Sequence, residues 1–376
     1  CLTNASQKKV LNRIQNIPSK VADFFTNVGR GIVTGMDDCF ILNGKIQGDK
    51  FIGFSKALKE NVELEAGLLK PILMGNSVHA FAPLSSDSFV IYPHVLENGK
   101  TIALDENDLE GQYPLIYSYL LNFKETLVAK KIKYKTNPKF WYTLHNCRDL
   151  SLFVNAKIIT PYLGNKCQMS FDSMGEMFTN DKCSLLKLKE EYTSLYHPYL
   201  AILNSKLAWF FISNTSSEFS GGYFVFSNLF INPFPIPDLL NSEYSHEAEL
   251  LSNFTNNILS LNEQLQTKRN RFLRRLSDNF QDIKITGALS TFDQLEFADF
   301  LKELKKQKIK LTLLEQDEWD EYFNAYRTAC QDIAKQIATT SNEIDLRVYQ
   351  LYGLTYDEVL IVDPETPISR EEYENN

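Results

Sequence analysis

The sequence predicts an α+β protein in two parts, a β-rich mixed domain over residues 1–240 and an α-helical bundle over 241–376. Three observations carry this. Short β-like runs separated by turns and two helices fill 27–240. After 240 the apolar residues recur at helical spacing. Between them, Asn232 to Pro237 (NPFPIP) continues neither a helix nor a central strand, because each proline removes a backbone donor and fixes φ.

In chain order, 31–42 (GIVTGMDDCFIL) reads as strand, turn and strand, with Thr34-Gly35 and Asp37-Asp38 as turn chemistry. Residues 89–92, 157–160, 167–171 and 183–188 read as further strands, and Asp172 to Gly175 as the turn of a hairpin. Leu115, Tyr119, Phe123 and Leu127 place a helix over 112–131, and Leu200, Leu203, Leu207 and Phe210 place another over 197–214. In the second part Leu250, Phe254, Ile258, Leu261, Leu265, Phe272 and Leu276 fall three, four or seven apart. Trp319, Tyr322, Tyr326, Cys330, Ile333, Ile337, Ile344, Val348 and Leu351 follow the same period. Two long antiparallel amphipathic helices follow, with a Lys-rich helix over 301–311 between them. The second stops at Gly353, and Thr355 with Glu358 forms a capping-box pattern for a last short turn.

A chain of 376 residues, 44% hydrophobic and 23% charged, buries a substantial core, so disorder is not expected. No window approaches the ~18 uninterrupted apolar residues of a membrane span. Lys8, Lys9, Arg13 and Lys20 stand near the start with no apolar run behind them, so a cytoplasmic protein without membrane contact is expected. The first residue is Cys1 and not Met, which suggests numbering that starts inside a longer polypeptide. The six cysteines (Cys1, Cys39, Cys147, Cys167, Cys183, Cys330) form no CxxC pair and no framework, and fit free thiols. His145, Cys147, Cys167 and Cys183 match no metal-ligand spacing, so no metal is expected.

The net charge of −8 argues against nucleic acid only until its distribution is read. Residues 1–240 hold 24 Lys and Arg against 22 Asp and Glu; residues 241–376 hold 15 against 25. The densest basic run is Lys124, Lys130, Lys131, Lys133, Lys135, Lys139 and Arg148, interleaved with Tyr134, Phe140, Trp141 and Tyr142. That composition suits phosphate contacts beside aromatic surfaces; the alternative is a solvated helix end followed by a core aromatic cluster.

Catalytic patterns are missing. Methyl transfer to an amino group needs a glycine-rich cofactor loop and an Asn/Asp-Pro-Pro-aromatic motif, of which Asn232-Pro233-Phe234 is only an echo. No Walker loop, Gly-x-Ser-x-Gly, HExxH or dinucleotide fingerprint occurs. Asp317, Glu318, Asp320 and Glu321 fall on one helical turn, where a solvated acidic face is the simpler reading than a nuclease centre. The chain alone is expected to have no enzymatic activity and no cofactor.

Several segments together resemble the target-recognition half of type IIG restriction-modification enzymes, the TaqI-like C-terminal specificity family. They are GRGIVTGMDDCFIL (29–42), LLKPILMGNSVHAF (68–81), KIITPYL (157–163), LAILNSKLAWFF (200–211) and SGGYFVFSNLFINPFPIP (220–237), in that order. The tail, FADFLKELKKQKIKLTLLEQDEWDEYF (297–323) and EIDLRVYQLYGLTYDEV (343–359), resembles the end of the same proteins. The resemblance implies sequence-specific recognition of double-stranded DNA for a fused adenine methyltransferase and endonuclease. The methyltransferase and nuclease domains would lie upstream in the same polypeptide and use S-adenosylmethionine and Mg²⁺. Two departures stand out: Gly75 to Phe81 lacks an arginine that relatives often carry, and Ser220-Gly221-Gly222 stands where they tend to have Arg-Gly-Gly. The alternatives are a separate specificity subunit that docks a partner methyltransferase, and a protein-interaction scaffold that does not bind DNA.

The residues expected to face DNA are Arg30, Thr34, Gly35, Asn76, His79, Lys130, Lys131, Lys133, Lys135, Lys139, Asn146, Arg148, Ser220, Gly221 and Gly222. Lysines among them would meet phosphate, and Asn146 and Arg148 would read base edges. The segment 130–148, the Thr34-Gly35 turn and the 220–222 loop would line one cleft.

Overall fold

A computed structural model describes residues 5–375, so Cys1 lies outside the described residues. The architecture is α+β, with the sheets before residue 240 and the two longest helices after it. A four-stranded antiparallel sheet runs in the order Phe25–Arg30, Cys183–Leu188, Lys157–Pro161, Ser170–Asp172. Its inner strands are largely buried on both faces, and every residue of Lys157–Pro161 is buried, Lys157 and Thr160 included.

A six-stranded sheet runs in the order Phe178–Thr179, Leu69–Leu73, Ser88–Ile91, Ile41–Gln47, Lys50–Ser55, Glu60–Glu65. Its outer strands alternate: Phe51 and Leu64 point into the core, whereas Ile52 and Phe54 point to solvent. Phe178–Thr179 pairs in parallel with Ile72 and Leu73 and ties the two sheets together.

That link overturns the expected hairpin at 172–175. The Asp172 carboxylate accepts the backbone N–H groups of Gly175, Glu176 and Met177, and also the Lys157 ammonium at 2.5 Å. The chain therefore leaves the first sheet and delivers Phe178 to the second. Gly175 makes this possible: its φ is +69°, and a Cβ there would lie 2.5 Å from the Asn155 amide nitrogen.

Other elements also depart from expectation. In 31–42, Ile32 and Val33 form only isolated bridges, to Asn180 and Asn146. Asp37–Phe40 is a helical turn with Asp37 and Asp38 at its start, where carboxylates favour the helix N-terminus, and the strand begins at Ile41. The helix over 112–131 is broken into Pro114–Leu121 and Lys124–Lys133, with the Asn122 amide bonded back to the Ser118 and Tyr119 carbonyls. The helix over 197–214 is Tyr196–Asn204 and Lys206–Thr215; the Ser205 hydroxyl between them accepts the Ala208 N–H and caps the second.

The helices Ser245–Asn279 and Leu313–Leu351 form an antiparallel hairpin, as Asn257 bonding Thr340 and Phe272 stacking on Tyr322 require. The Lys-rich helix is Phe297–Lys306, shorter and earlier than expected, because Lys308 takes φ +65° and the Ile309 N–H turns back to Leu304. Gly353 has φ +62°, and the Thr355–Glu358 capping box is formed.

Packing does not divide at residue 240. One core holds Tyr199, Leu203 and Phe234 together with Leu251, Ile258, Ile344 and Tyr352. The proline segment lies inside it: the Tyr352 hydroxyl donates to the Pro235 carbonyl at 2.6 Å, and Phe234 stacks on Tyr352. The helix Ala5–Ile14 joins the same core and ties to the chain end through Arg13 and Glu358. The six-stranded sheet has its own core, and a third fills the far end of the hairpin around Phe272. Among the described residues, no helix is long and apolar enough to cross a membrane.

Candidate nucleic-acid interface

The basic run separates into lysines that the fold consumes and lysines that it leaves free. Lys131 is buried; its ammonium donates to the Thr143 hydroxyl at 2.8 Å and the Leu144 carbonyl at 3.1 Å. Burial lowers its pKa to about 8. This lysine holds the chain together, so the expected phosphate contact does not fit it. Lys130 donates to the Gly35 carbonyl at 2.9 Å. Lys133, Lys135 and Lys139 are exposed. Of the interleaved aromatics, Trp141 and Tyr142 are core, bonded to Glu106 and to the Leu104 carbonyl. Tyr134 is exposed and rests on His145, with ring centroids 4.9 Å apart.

Residues 31–35 run alongside 145–148. Val33 and Asn146 exchange both backbone hydrogen bonds, and the His145 N–H donates to the Thr34 carbonyl. Arg148 takes φ +59°, uncommon for a side chain, and its Nε donates to the Gly31 carbonyl at 2.9 Å, which aims the guanidinium along this strip. The Asn146 side chain accepts from the Arg148 N–H, so its carbonyl oxygen is occupied in shaping the turn. Thr34 is buried and its hydroxyl donates to Asp37, which removes it as a ligand contact. Gly35 has φ +80° and lies against the His145 side chain. Thr34, Gly35, Lys130, Lys131, Tyr134 and His145 thus surround one narrow cleft, where the first four act as its frame.

Arg30 and the glycine loop meet through Tyr162. The Arg30 guanidinium lies 4.1 Å from the Tyr162 ring centroid and donates to the Asp181 carbonyl at 2.7 Å. The Tyr162 carbonyl accepts the Phe226 N–H, next to the strand Phe224–Val225 that carries the loop. Ser220, Gly221 and Gly222 are exposed at its tip, with φ of +75° and +76° at the glycines and nothing near where their side chains would stand. Phe219 and Tyr223 flank it, both exposed.

Asn76 and His79 are exposed elsewhere. His79 lies 3.3 Å from the Gln168 side chain and, with Arg269 of the first long helix, borders the clefts between the sheet half and the hairpin. Tyr162 and Arg269 were not among the expected residues. Tyr162 could have been suspected as an aromatic next to a strand end; nothing local singles out Arg269 within an acidic half. Cys167 and Cys183 lie in different cores, and among the described residues no group of three His, Cys, Asp or Glu is placed to hold a metal ion.

Residues 70–236 match the TaqI-like C-terminal specificity domain. This part of the chain is similar to that specificity domain. It begins in the strand Leu69–Leu73, ends in the proline segment, and encloses every expected site residue except Arg30, Thr34 and Gly35. Residues 245–348, most of the hairpin, match a domain of unknown function, DUF8810. Over 232 residues the chain is 25% identical to the type II restriction enzyme and methyltransferase RM.Eco57I of Escherichia coli, covering 57% of this chain and 22% of that protein. It therefore spans about a fifth of the length of that relative. Among solved structures, the type IIL restriction-modification enzyme MmeI in complex with DNA aligns over 82% of this chain and 37% of its own, at 10% identity and a TM-score of 0.35.

The Asn232-Pro233-Phe234 segment is built into the core shared by both halves. The Asn232 and Phe234 carbonyls accept the Ala22 and Val21 N–H groups, so the backbone on either side of Pro233 is tied into the fold. Phe234 itself packs on Phe211 and Tyr352. These residues do not fit a catalytic role.

Proposed function

We propose that this chain reads a sequence in double-stranded DNA for a restriction-modification enzyme. In this reading methylation and cleavage belong to methyltransferase and nuclease domains of the same polypeptide, which take up S-adenosylmethionine and Mg²⁺, and this chain contributes recognition alone. The observation that carries the reading is the match of residues 70–236 to a specificity domain, within which Lys133, Lys135 and Lys139 of the basic run stay exposed with no hydrogen-bonded or carboxylate partner for their ammonium groups among the described residues, Lys133 and Lys139 lying only over the Tyr134 and Phe140 rings. Cations fixed beside one another on a folded surface neutralise phosphates and release counterions, which gives affinity; contacts to base edges give sequence. The Arg148 guanidinium, anchored at Nε, and the Ser220–Gly222 loop, which lets backbone approach closely, suit base-edge contact.

Selection from a pool of random duplexes tests this. The chain should enrich one recurrent sequence, and binding should fall steeply between about 50 and 200 mM salt. Recovery of an unenriched pool after repeated rounds would contradict it.

A further inference from the structure

Between the loop at residues 75–85 and the first long helix lies an open cleft of about 360 Å³ that borders a larger one of about 940 Å³; His79 and Arg269 belong to both. The helix wall carries Gln266 and Asn270 on one face, and Arg274 follows one turn further along the same face. Among the described residues, neither Gln266 nor Asn270 makes a side-chain hydrogen bond, and neither Arg274 nor Lys166, the latter on the rim of the larger cleft, has a carboxylate partner. Arg269 stands between them with a fixed orientation. Its Nε and one Nη each reach the Asp293 carboxylate at 2.7 Å, and Asp293 is 4% exposed. A guanidinium has five N–H donors, so this clamp uses two and leaves three for the cleft.

We propose that this cleft is a second duplex-binding surface, in which Arg269, Arg274, Lys166, Gln266 and Asn270 hold the phosphodiester backbone of the same DNA. Each of these side chains donates hydrogen bonds, which is the inventory of backbone contacts that fix register without reading sequence. His79 faces them from the sheet half, so one strand gripped here would bridge the specificity domain and the hairpin. The hairpin then positions DNA, although its half of the chain is net acidic. Glu365 and the Lys206–Asp363 pair line the larger cleft, whereas, among the described residues, no carboxylate lines the smaller one.

The proposal rests on duplex binding by this chain, and its test separates the two. Binding of a fluorescent duplex of about two helical turns is measured across about 50 to 200 mM salt for the full chain and its variants. The double variant Gln266→Glu/Asn270→Asp sets two carboxylates against the phosphates and should weaken binding at least tenfold with an unchanged thermal unfolding curve. The double variant Lys166→Ala/Arg274→Ala should flatten the log–log salt dependence by about one to two units. If the parent binds and both double variants bind as it does at every salt concentration, the cleft holds no DNA while the recognition reading stands. If the parent binds no duplex at the lowest salt, the recognition reading fails first and this inference with it. The single variant Asn270→Asp, at an exposed position, repeats the measurement should either double variant lose its fold.

Discussion

The sheet half encloses lysines, whereas the helical half keeps its lysines on the surface. In the sheet half, Lys131 and Lys157 are buried, with ammonium groups bonded to carbonyl oxygens and, for Lys157, to the enclosed Asp172. In the hairpin the interior is aromatic, with Phe272 and Phe292 3.7 Å apart at its centre. Its charges mostly meet on the surface, as in Lys302 with Asp299 and Lys306 with Glu303. The difference shows that a count of cations does not measure a binding surface. Of the five lysines at 130, 131, 133, 135 and 139, the fold takes two for its own carbonyls and leaves three for a partner.

The contrast breaks most visibly at the buried pair. Replacing Lys157 by methionine leaves the Asp172 charge enclosed without its counter-ion, and should cost about 3–5 kcal/mol of unfolding free energy in urea. A comparable change at an exposed pair, Lys302→Met, should leave the unfolding free energy almost unchanged. Equal costs would mean that burial does not distinguish the two halves.

Where the halves meet, Asp345 sharpens the comparison. It is buried beside Lys206, Asp363 and Tyr349, and accepts the Lys206 N–H at 2.9 Å. Burial, only partly offset by that hydrogen bond and by the Lys206 charge, raises its pKa to about 7. An acid whose folded pKa is raised keeps a proton that the unfolded chain has released. Stability from this group is therefore greatest below the ordinary carboxylate pKa of about 4, falls as pH rises toward 7, and is flat above it. Asp345→Asn retains an acceptor and removes the charge, so its melting temperature should exceed the parent's at pH 8 and match it near pH 4. A variant less stable than the parent at pH 8 would show that the charged form is the one the fold requires.

The two halves also differ in how much of them the sequence reveals. The long helices repeat one signal over many turns, so Phe272, Leu276, Cys330 and Ile333 are readable as core from spacing alone. The strands of the six-stranded sheet are short, and Leu69–Leu73 is paired by segments distant in sequence, which no local pattern encodes. Helix breaks at Asn122 and Ser205 depend on single side chains that bond their own backbone, and such residues are common outside breaks as well. At the candidate interface, the basic run and the glycine loop are visible as composition. That Lys131 and Thr34 are buried is not, because each is enclosed by residues that arrive from elsewhere in the chain. The shared core across residue 240 is hidden for the same reason: NPFPIP reads as a boundary, yet Tyr352 closes over it from more than a hundred residues away.

Two substitutions at exposed lysines give the most direct test of the central claim, that the chain grips duplex DNA through the lysines its fold leaves exposed. Duplex binding is measured over about 50 to 200 mM salt for the parent, for Lys133→Ala/Lys135→Ala and for Lys131→Met. The double variant should bind all sequences more weakly and flatten the log–log salt dependence by about one to two units, whereas Lys131→Met should lower thermal stability and leave that slope unchanged. A double variant that binds like the parent at every salt concentration, or a Lys131→Met variant that flattens the slope as much, would contradict the account.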